Sequence, residues 1–245
     1  MNNRTVAYDF TIIVPFYNEE ECLPELGRRL GAYMAHSSRK ACALLVNDGS
    51  TDGSEIIAEG LCRENPDVFL LSLERNSGLS AALKAGFDNC FSPLAGYIDA
   101  DLQTDPEDFE QLLSHIDKGY SLVQGRRVKR NDPVLKRLSS KIANAWRRHF
   151  TRDGFSDTCC PLKVIDSATA RRLPMFKGMH RFMPALVQMD GGRCLEVPVR
   201  HYPRLAGKAK YGLLNRLAGP FADCFAVRWM MRRHISATIK SSNLV

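Results

Sequence analysis

The first half of the chain alternates between short apolar runs and longer amphipathic segments. The runs are rich in β-branched residues, as buried strands are, and we predict strands at Phe10–Pro15, Ala41–Val46, Val68–Leu73, Gly96–Ile98 and Ser121–Gln124. Apolar residues at helical spacing lie between them and predict helices that begin at Asn18–Glu19, cover Glu55–Glu64 and Leu79–Cys90, and begin again at Pro106. Strands that alternate with helices in this way predict right-handed βαβ units, and therefore an α/β fold with a mostly parallel central sheet flanked by helices.

The pattern changes after Arg130. The segments that follow predict a basic helix, a strand at the sheet edge, a short helix, an alternating strand and a flexible basic loop: Leu135–Phe150, Asp157–Val164, Met179–Gln188, Arg193–His201 and Pro203–Tyr211. Leu213–Ile235 predicts a terminal helical region with a break at Gly219–Pro220. We therefore predict one domain over residues 1–212 and a basic, amphipathic helical appendage over residues 213–245.

Polar loops follow all five strands of the first half. In parallel sheets, ligands bind beyond the carboxyl ends of the strands. The loops at those ends are Phe16–Glu19, Asn47–Asp52, Arg75–Gly78, Asp99–Gln103 and Gly125–Arg127. We expect these five loops to converge on one edge of the sheet and to form the functional site.

Two aspartates separated by one residue, Asp99 and Asp101, follow the fourth strand. Residues two apart on an extended chain point to the same side, so both carboxylates can contact one divalent cation. Mg²⁺ accepts one or two protein carboxylates and takes its other ligands from water and substrate phosphates. The alternative is a solvated, Asp-rich turn on an exposed loop, because Asp-x-Asp alone is a common pattern.

Charge and cysteine content narrow the class of protein. The formal net charge of +7 is uneven: ten Lys and Arg lie between Arg126 and Arg152, which suits phosphates, nucleic acid or an anionic membrane surface. The eight cysteines form no Cys-x-x-Cys pair and mostly lie within apolar segments, which favours a reducing compartment, and hence the cytosol. The polar N-terminus and the lack of a long apolar run predict neither a signal peptide nor a membrane span.

Several nucleotide-binding classes are excluded by their missing motifs. The chain contains neither GxxxxGK[ST] nor GxGxxG, so a P-loop ATPase and a dinucleotide dehydrogenase are not expected. No aromatic platform or recognition motif accompanies the basic segments, so we expect no nucleic-acid partner. If a nucleotide binds, a cation held by Asp99 and Asp101 is the candidate that neutralises its diphosphate. Asp48 could accept hydrogen bonds from its base or ribose, or could instead cap a helix.

Seven motifs together resemble a known family. They are VPFYNEE (Val14–Glu20), VNDGSTDGS (Val46–Ser54), ERNSGLSAAL (Glu74–Leu83), DADLQTDPE (Asp99–Glu107), QGRR (Gln124–Arg127), HRFMPAL (His180–Leu186) and PRLAGKAKYG (Pro203–Gly212). In this order and spacing they resemble the family 2 glycosyltransferases of the GT-A fold. Within that family they are similar to the polyprenyl-phosphate glycosyltransferases, which include dolichyl-phosphate mannose synthase.

The resemblance implies a role for each matching residue. On the donor side, the residues expected to bind the nucleotide sugar are Pro15, Tyr17, Glu19, Asp48, Asp99, Arg204, Lys208 and Lys210. Asp99, Asp101 and Gln103 are expected to bind Mg²⁺ or Mn²⁺, and Arg127, Lys136, Arg137 and Ser140 the acceptor phosphate. Asp101, Gln103 and Arg127 are the expected catalytic residues. Asn47 stands where some members have an aspartate, so both GDP- and UDP-sugars remain candidate donors.

The implied reaction is inverting transfer of a sugar from a nucleoside diphosphate to a polyprenyl phosphate, undecaprenyl or dolichyl. The acceptor phosphate is already an anion, so the reaction needs no strong general base, and His180 and His201 are better explained as structural histidines. We expect a peripheral enzyme at the cytosolic face of a membrane, with a membrane subunit or a homo-oligomer as further possible partners. The alternatives are transfer to a glycan or lipid hydroxyl, and a non-catalytic nucleotide-sugar-binding subunit.

Overall fold

The computed structural model describes residues 7–128, 134–203 and 218–235, without the side chains of 134–142, Ala218 and Pro220. The described residues form one seven-stranded sheet in the order β3-β2-β1-β4-β6-β5-β7. Its strands are β1 (Phe10–Phe16), β2 (Ala41–Asn47), β3 (Val68–Ser72), β4 (Leu94–Tyr97), β5 (Leu122–Arg127), β6 (Lys163–Asp166) and β7 (Cys194–Val199). Strands β1 to β5 and β7 confirm the predicted ones to within a few residues.

Eight α-helices within the described residues cover the two faces of this sheet. They are α1 (Leu23–Met34), α2 (Ser54–Glu64), α3 (Leu79–Asp88), α4 (Phe109–Ile116), α5 (Val134–Thr151), α6 (Ser167–Arg172), α7 (Met183–Met189) and α8 (Ala218–Arg233). Successive residues of β1 alternate between two cores: Ile12 packs with α1, α2 and α4, and Ile13 packs with α3, α6, α7 and α8. The two-residue period of the strands therefore builds a three-layer α/β domain.

Parallel pairing brings the predicted loops to one edge. Strand β1 pairs in parallel with β2 and with β4, and β2 pairs in parallel with β3. The carboxyl ends of all four strands therefore meet at the same edge, as predicted. The predicted fifth loop, Gly125–Arg127, is instead the carboxyl end of β5, and it lies at this edge too, because β5 is antiparallel to β6 and β6 is antiparallel to β4.

The predicted edge strand Asp157–Val164 is wrong in extent and position. Strand β6 begins only at Lys163, and it lies inside the sheet, antiparallel to both β4 and β5. Val164 and Ile165 are fully buried, so both faces of the strand are covered, which is typical of an interior position. Pro161 has no N–H for a ladder, and the residues before Lys163 form a loop instead.

The C-terminal helix α8 packs on the domain. Cys224 and Val227 are buried in the core that also contains α3 and α7. Helix α8 contacts α5 through Phe221, Phe225 and Arg228. Gly219 and Pro220 lie in its first turn, where proline is tolerated, and do not break it. The proposed boundary at residues 212 and 213 lies outside the described residues and stays a prediction. Within the described ranges, no helix has both the length and the apolarity that crossing a bilayer requires.

Candidate active site

The loops that follow β1 and β2 form one hydrogen-bonded unit. The backbone N–H of Asn18 donates to Ser50 Oγ at 3.0 Å, and that of Glu19 donates to Ser54 Oγ at 2.8 Å. Pro15 is buried at the end of β1, whereas Tyr17 and Glu19 are half-buried beyond it. Tyr17 and Glu19 therefore lie on a loop whose conformation is fixed by its neighbour, and Pro15 lies in the strand that precedes it.

Asp48 extends this unit to the third loop. Its carboxylate accepts the backbone N–H of Ser77 at 2.7 Å and that of Gly78 at 2.9 Å, at the start of α3. Gly49 makes the approach possible, because its φ is +65° and a Cβ there would collide with the backbone of Arg75. Both oxygens of Asp48 thus tie its loop to the segment before α3, and they do so through distant N–H groups and not as the local helix-capping turn of the alternative. A contact from Asp48 to a nucleotide base stays a prediction.

Asp99 lies two residues beyond β4, and a residue of that strand fixes its carboxylate by a hydrogen bond. The Tyr97 hydroxyl donates to Asp99 Oδ1 at 2.7 Å. Burial and the charge of Asp101 raise the pKa of the Asp99 carboxyl to about 6, against the opposing effects of Tyr97, Lys163 and Arg127. The predicted carboxylate pair is therefore close enough for mutual repulsion, which a divalent cation between the two groups would relieve.

Asp101 is largely buried, since only 8% of its surface is accessible. A solvated turn on an exposed loop, the alternative to a metal site, would leave it exposed. Its Oδ1 accepts the backbone N–H of Gln103 at 3.2 Å. Leu102 between them is buried with a φ of 59°, a strained value for a residue with a side chain, and such strain is often found at functional sites. This tight turn brings Asp101 and Gln103 together.

Gln103 connects this turn to the chain beyond β7. Its side-chain Nε2 donates to the backbone carbonyl oxygen of Tyr202 at 3.3 Å, and the backbone N–H of Tyr202 donates to the backbone carbonyl oxygen of Gln103 at 2.9 Å. The amide nitrogen is thereby engaged, which leaves the amide oxygen as the atom suited to a cation. The basic residues predicted to contact the donor phosphates, Arg204, Lys208 and Lys210, follow Tyr202 directly and lie outside the described residues.

The donor set fits a small hard cation. Two carboxylates and one amide oxygen leave coordination positions for water and phosphate, as Mg²⁺ and Mn²⁺ sites in nucleotide-binding proteins do. Among the described residues, no group of three or more His, Cys, Asp or Glu could form a protein-only cage. Two carboxylates and one amide oxygen would leave the remaining ligands of such a cation to water and substrate.

Arg127 has a partner that the sequence did not reveal. Its Nε and Nη2 donate to the two carboxylate oxygens of Asp157 at 2.8 and 2.7 Å. Burial lowers the pKa of Arg127, but the hydrogen bonds and charge of Asp157 outweigh it and raise the pKa. Glu196 in turn accepts the Asp157 N–H at 2.8 Å. The guanidinium of Arg127, the last residue of β5, is thus fixed at the same edge as Asp99.

Lys163 is the second functional candidate that the sequence analysis missed. It lies on β6, opposite Tyr97 of β4, and is 1% exposed. The only sequence signal was a single lysine within the apolar segment Leu162–Ile165. The other predicted acceptor residues, Lys136, Arg137 and Ser140, lie on α5, and their side chains are outside the described residues.

His180 is a structural residue in this geometry. Its Nδ1 lies 2.8 Å from Ser80 Oγ, which also accepts the Gly178 N–H at 3.1 Å. Burial lowers the pKa of His180 to about 3, so the imidazole is neutral at physiological pH. His201 is half-buried just beyond β7.

The low pKa of His180 makes folding stability depend on pH. Between about pH 6.5 and 3, the unfolded chain binds a proton that the folded protein does not, so the free energy of unfolding falls as pH falls. His180→Asn removes this effect. We expect wild type to lose up to ~1.4 kcal/mol per pH unit relative to the variant below pH ~6. Denaturant unfolding at several pH values measures this, and parallel profiles for the two proteins would contradict it.

Comparison with known proteins identifies the family. The sequence profile described as glycosyl transferase family 2 matches residues 11–173. The chain belongs to glycosyl transferase family 2. This confirms the resemblance drawn from the motifs, and the match covers both aspartates, Arg127, Asp157 and Lys163.

Curated relatives of this family member are undecaprenyl-phosphate 4-deoxy-4-formamido-L-arabinose transferases. The protein from Edwardsiella ictaluri is 33% identical over 213 residues, which are 86% of this chain and 65% of the relative. The protein from Klebsiella pneumoniae is 32% identical over 206 residues, which are 84% of this chain and 63% of the relative. The chain thus spans somewhat less than two thirds of the length of either relative.

Solved structures of glycosyltransferases share the fold. Glucosyl-3-phosphoglycerate synthase from Mycobacterium tuberculosis, in complex with Mn²⁺, UDP-glucose and phosphoglyceric acid, superposes with a TM-score of 0.67 at 15% identity, covering 91% of this chain and 79% of that chain. The mannosyltransferase PcManGT from Pyrobaculum calidifontis, in complex with GDP-Man and Mn²⁺, superposes with a TM-score of 0.66 at 18% identity, covering 95% and 67%. The GT-A fold prediction is confirmed.

Proposed function

We propose that this family 2 member is a metal-dependent, inverting glycosyltransferase that moves a sugar from a nucleoside diphosphate to a polyprenyl phosphate. One observation supports this most strongly: the Asp99–Asp101 pair and the Arg127 guanidinium lie at one edge of the sheet, near enough that both Asp101 and Arg127 affect the pKa of Asp99. A carboxylate pair suits a cation and a donor diphosphate, whereas a guanidinium suits a second phosphate. The names of the curated relatives support the same acceptor class.

The donor would bind across the first four loops. The unit formed by residues 17–20, 47–54 and 75–78 offers a rigid wall for a nucleoside, with Tyr17 and Glu19 at its rim. Asp99, Asp101 and Gln103 would hold Mg²⁺ or Mn²⁺ against the diphosphate, where a cation neutralises the charge of the leaving group. Structural neighbours in complex with Mn²⁺ and UDP-glucose or GDP-Man are consistent with this arrangement.

The acceptor would bind on the Arg127 side. Its phosphate is ionised at neutral pH, so the protein must align it with the sugar–phosphate bond and need not remove a proton from it. Arg127, oriented by Asp157, can supply charge-assisted hydrogen bonds, with Lys136, Arg137 and Ser140 of α5 as further predicted contacts. The engagement of neutral His180 by Ser80 agrees with chemistry that uses no histidine base. Transfer to a hydroxyl would need a general base near the acceptor.

A membrane surface is the proposed location of the acceptor. Helix α8 buries Cys224 and Val227 but leaves Phe225 56% and Trp229 64% exposed, next to the exposed Arg232 and Arg233. Aromatic side chains beside basic ones suit the interface of an anionic bilayer. The helix would then cover the core with one face and contact lipid with another. A membrane subunit or a homo-oligomer stays a prediction.

Two exposed aromatics allow a test of membrane binding. Because removing α8 would uncover the core around Val227, we choose Phe225→Ser with Trp229→Ser, which changes exposed positions only. Each aromatic inserted into the interface should contribute on the order of 1.5–3 kcal/mol, so binding to anionic vesicles should fall at least ~10-fold. Ile56→Ser, at a 71% exposed position on α2, is the matched control. Unchanged vesicle co-sedimentation of the double variant would rule out this face.

The donor is identified by a transfer assay. The protein is incubated with undecaprenyl phosphate, Mn²⁺ and each of a panel of radiolabelled UDP- and GDP-sugars, and the organic phase is counted. We expect one donor to label the organic phase, and EDTA to abolish that labelling. A protein that binds a nucleotide sugar tightly but labels nothing would match the non-catalytic alternative instead.

A further inference from the structure

The interior strand β6 contains a buried lysine whose charge has no direct carboxylate partner among the described residues. Lys163 is 1% exposed, yet none of the ion pairs between described side chains includes it. Moving an ammonium group out of water costs several kcal/mol, so lysine is rarely buried without a paired charge. A lysine at this position therefore needs an explanation beyond packing.

The ammonium group of Lys163 is stabilised by two backbone carbonyl groups and by an aromatic ring. It donates to the carbonyl oxygens of Thr158 and Cys160, in the loop before β6. Its Nζ also lies 5.3 Å from the centroid of the Tyr97 ring, within the range of a cation–π contact. Lys163 and Tyr97 are directly opposite each other in the β4–β6 ladder, so the sheet itself fixes this contact.

Tyr97 connects the lysine to the proposed metal ligand. The ring that faces Lys163 ends in the hydroxyl that donates to Asp99 Oδ1 at 2.7 Å. The buried Lys163 thus reaches Asp99 through a chain of two contacts, its own with the Tyr97 ring and that of the Tyr97 hydroxyl with Asp99.

We propose that Lys163 is a positioning residue that, through Tyr97, orients the Asp99 carboxylate for a divalent cation. This rests on the proposed function, in which Asp99 and Asp101 bind Mg²⁺ or Mn²⁺. Groups that hydrogen-bond to metal ligands fix the orientation of those ligands, and their loss typically weakens metal binding by about 10- to 100-fold. Lys163 contacts Tyr97, which contacts Asp99, so Lys163 acts on the metal ligand through Tyr97.

If this is correct, removing the charge of Lys163 should weaken metal binding without lowering the stability of the protein. Replacing a buried charge by an apolar residue of similar volume is often neutral or stabilising. Lys163→Met keeps the unbranched stem and removes the charge. A lysine needed only for the fold predicts a lower melting temperature, whereas a positioning lysine predicts an unchanged or higher one together with weaker Mn²⁺ binding.

The experiment measures Mn²⁺ binding to the full chain by the EPR signal of free Mn²⁺, alone and again with UDP or GDP present. We expect Lys163→Met and Tyr97→Phe each to weaken Mn²⁺ binding by about 10-fold, and Lys163→Met to do so without a lower melting temperature. Because both side chains act through one chain of contacts, their effects should not add. The Mn²⁺ affinity of the double variant should be close to that of the single variant with the larger loss. Lys84→Met, which removes a surface lysine paired with Asp88, is the control and should bind like wild type.

Three results would overturn the proposal. They are Mn²⁺ affinity within about twofold of wild type in either folded single variant, losses that simply add in the double variant, and an equal loss in the Lys84→Met control. If Lys163→Met does not fold, Tyr97→Phe still tests the proposal: unchanged Mn²⁺ affinity there would overturn it, because Lys163 is proposed to act through the Tyr97 hydroxyl. Wild-type protein that binds no Mn²⁺ would refute the metal site of the proposed function, whereas equal binding by wild type and variants refutes only the role of Lys163.

Discussion

Asp101→Asn is expected to fold like the wild type and to lose nearly all transferase activity. Asparagine has the same shape, and its Oδ1 can still accept the Gln103 N–H that Asp101 accepts at 3.2 Å. It lacks the negative charge that the proposed cation requires. Removing one group that stabilises the developing charge of a leaving group typically costs ~10²–10³-fold in turnover, and we expect a loss of at least that size.

A neighbouring aspartate supplies the control for this experiment. Asp105 caps the 3-10 turn Pro106–Asp108 by accepting the Glu107 N–H at 3.1 Å, and Asp105→Asn should retain activity because asparagine is also a good cap. Turnover and thermal melts are measured for both variants. Asp101→Asn turnover within a few-fold of wild type, or full wild-type activity in excess EDTA, would refute the metal role.

Arg127→Ala should raise the KM for polyprenyl phosphate far more than the KM for the nucleotide sugar. Arg127 is the last residue of β5, which β6 and β4 separate from the strands β1 and β2, whose loops are proposed to bind the nucleoside. Loss of charge-assisted hydrogen bonds to a phosphate costs about 1.5–3 kcal/mol, which corresponds to roughly 10- to 100-fold in acceptor affinity. Steady-state kinetics with each substrate varied in turn gives the two constants.

The structure adds a complication that this experiment must control. Arg127→Ala leaves the nearly buried Asp157 carboxylate without its guanidinium, which by itself destabilises a protein. Arg127→Ala combined with Asp157→Asn removes the stranded charge and should show the same acceptor defect. Arg126→Ala, whose side chain is 45% exposed, is the matched control. A raised donor KM with an unchanged acceptor KM would assign Arg127 to the other phosphate.

The periodic parts of the fold were predictable from local sequence. Strands β1 and β2 are continuous apolar runs, and helix α1 has its apolar residues at helical spacing, so each element follows from residues close in the chain. The position of β6 was not predictable in this way. Its place between β4 and β5 depends on pairings with residues about 40 and 70 positions earlier, which no local pattern encodes.

The candidate site likewise contains residues whose placement local sequence predicted and residues whose role depends on distant contacts. The placement of Asp99 and Asp101 at the carboxyl edge followed from the strand before them. Their supports did not: Tyr97 is an ordinary strand residue by sequence, and Lys163 and Asp157 act on Asp99 and Arg127 only after the sheet is assembled. The loop-organising role of Asp48 was not predictable either, because the two backbone N–H groups that its oxygens accept belong to Ser77 and Gly78, about 30 positions later.

The choice of acceptor tests the account most directly. With the donor sugar identified, the protein and Mn²⁺ are incubated with undecaprenyl phosphate or with undecaprenol, which differ only in the phosphate, and labelled lipid is counted. The account predicts transfer to undecaprenyl phosphate alone, abolished by EDTA and by Asp101→Asn. Transfer to undecaprenol at a comparable rate, or transfer to the phosphate that continues without a divalent cation, would contradict it.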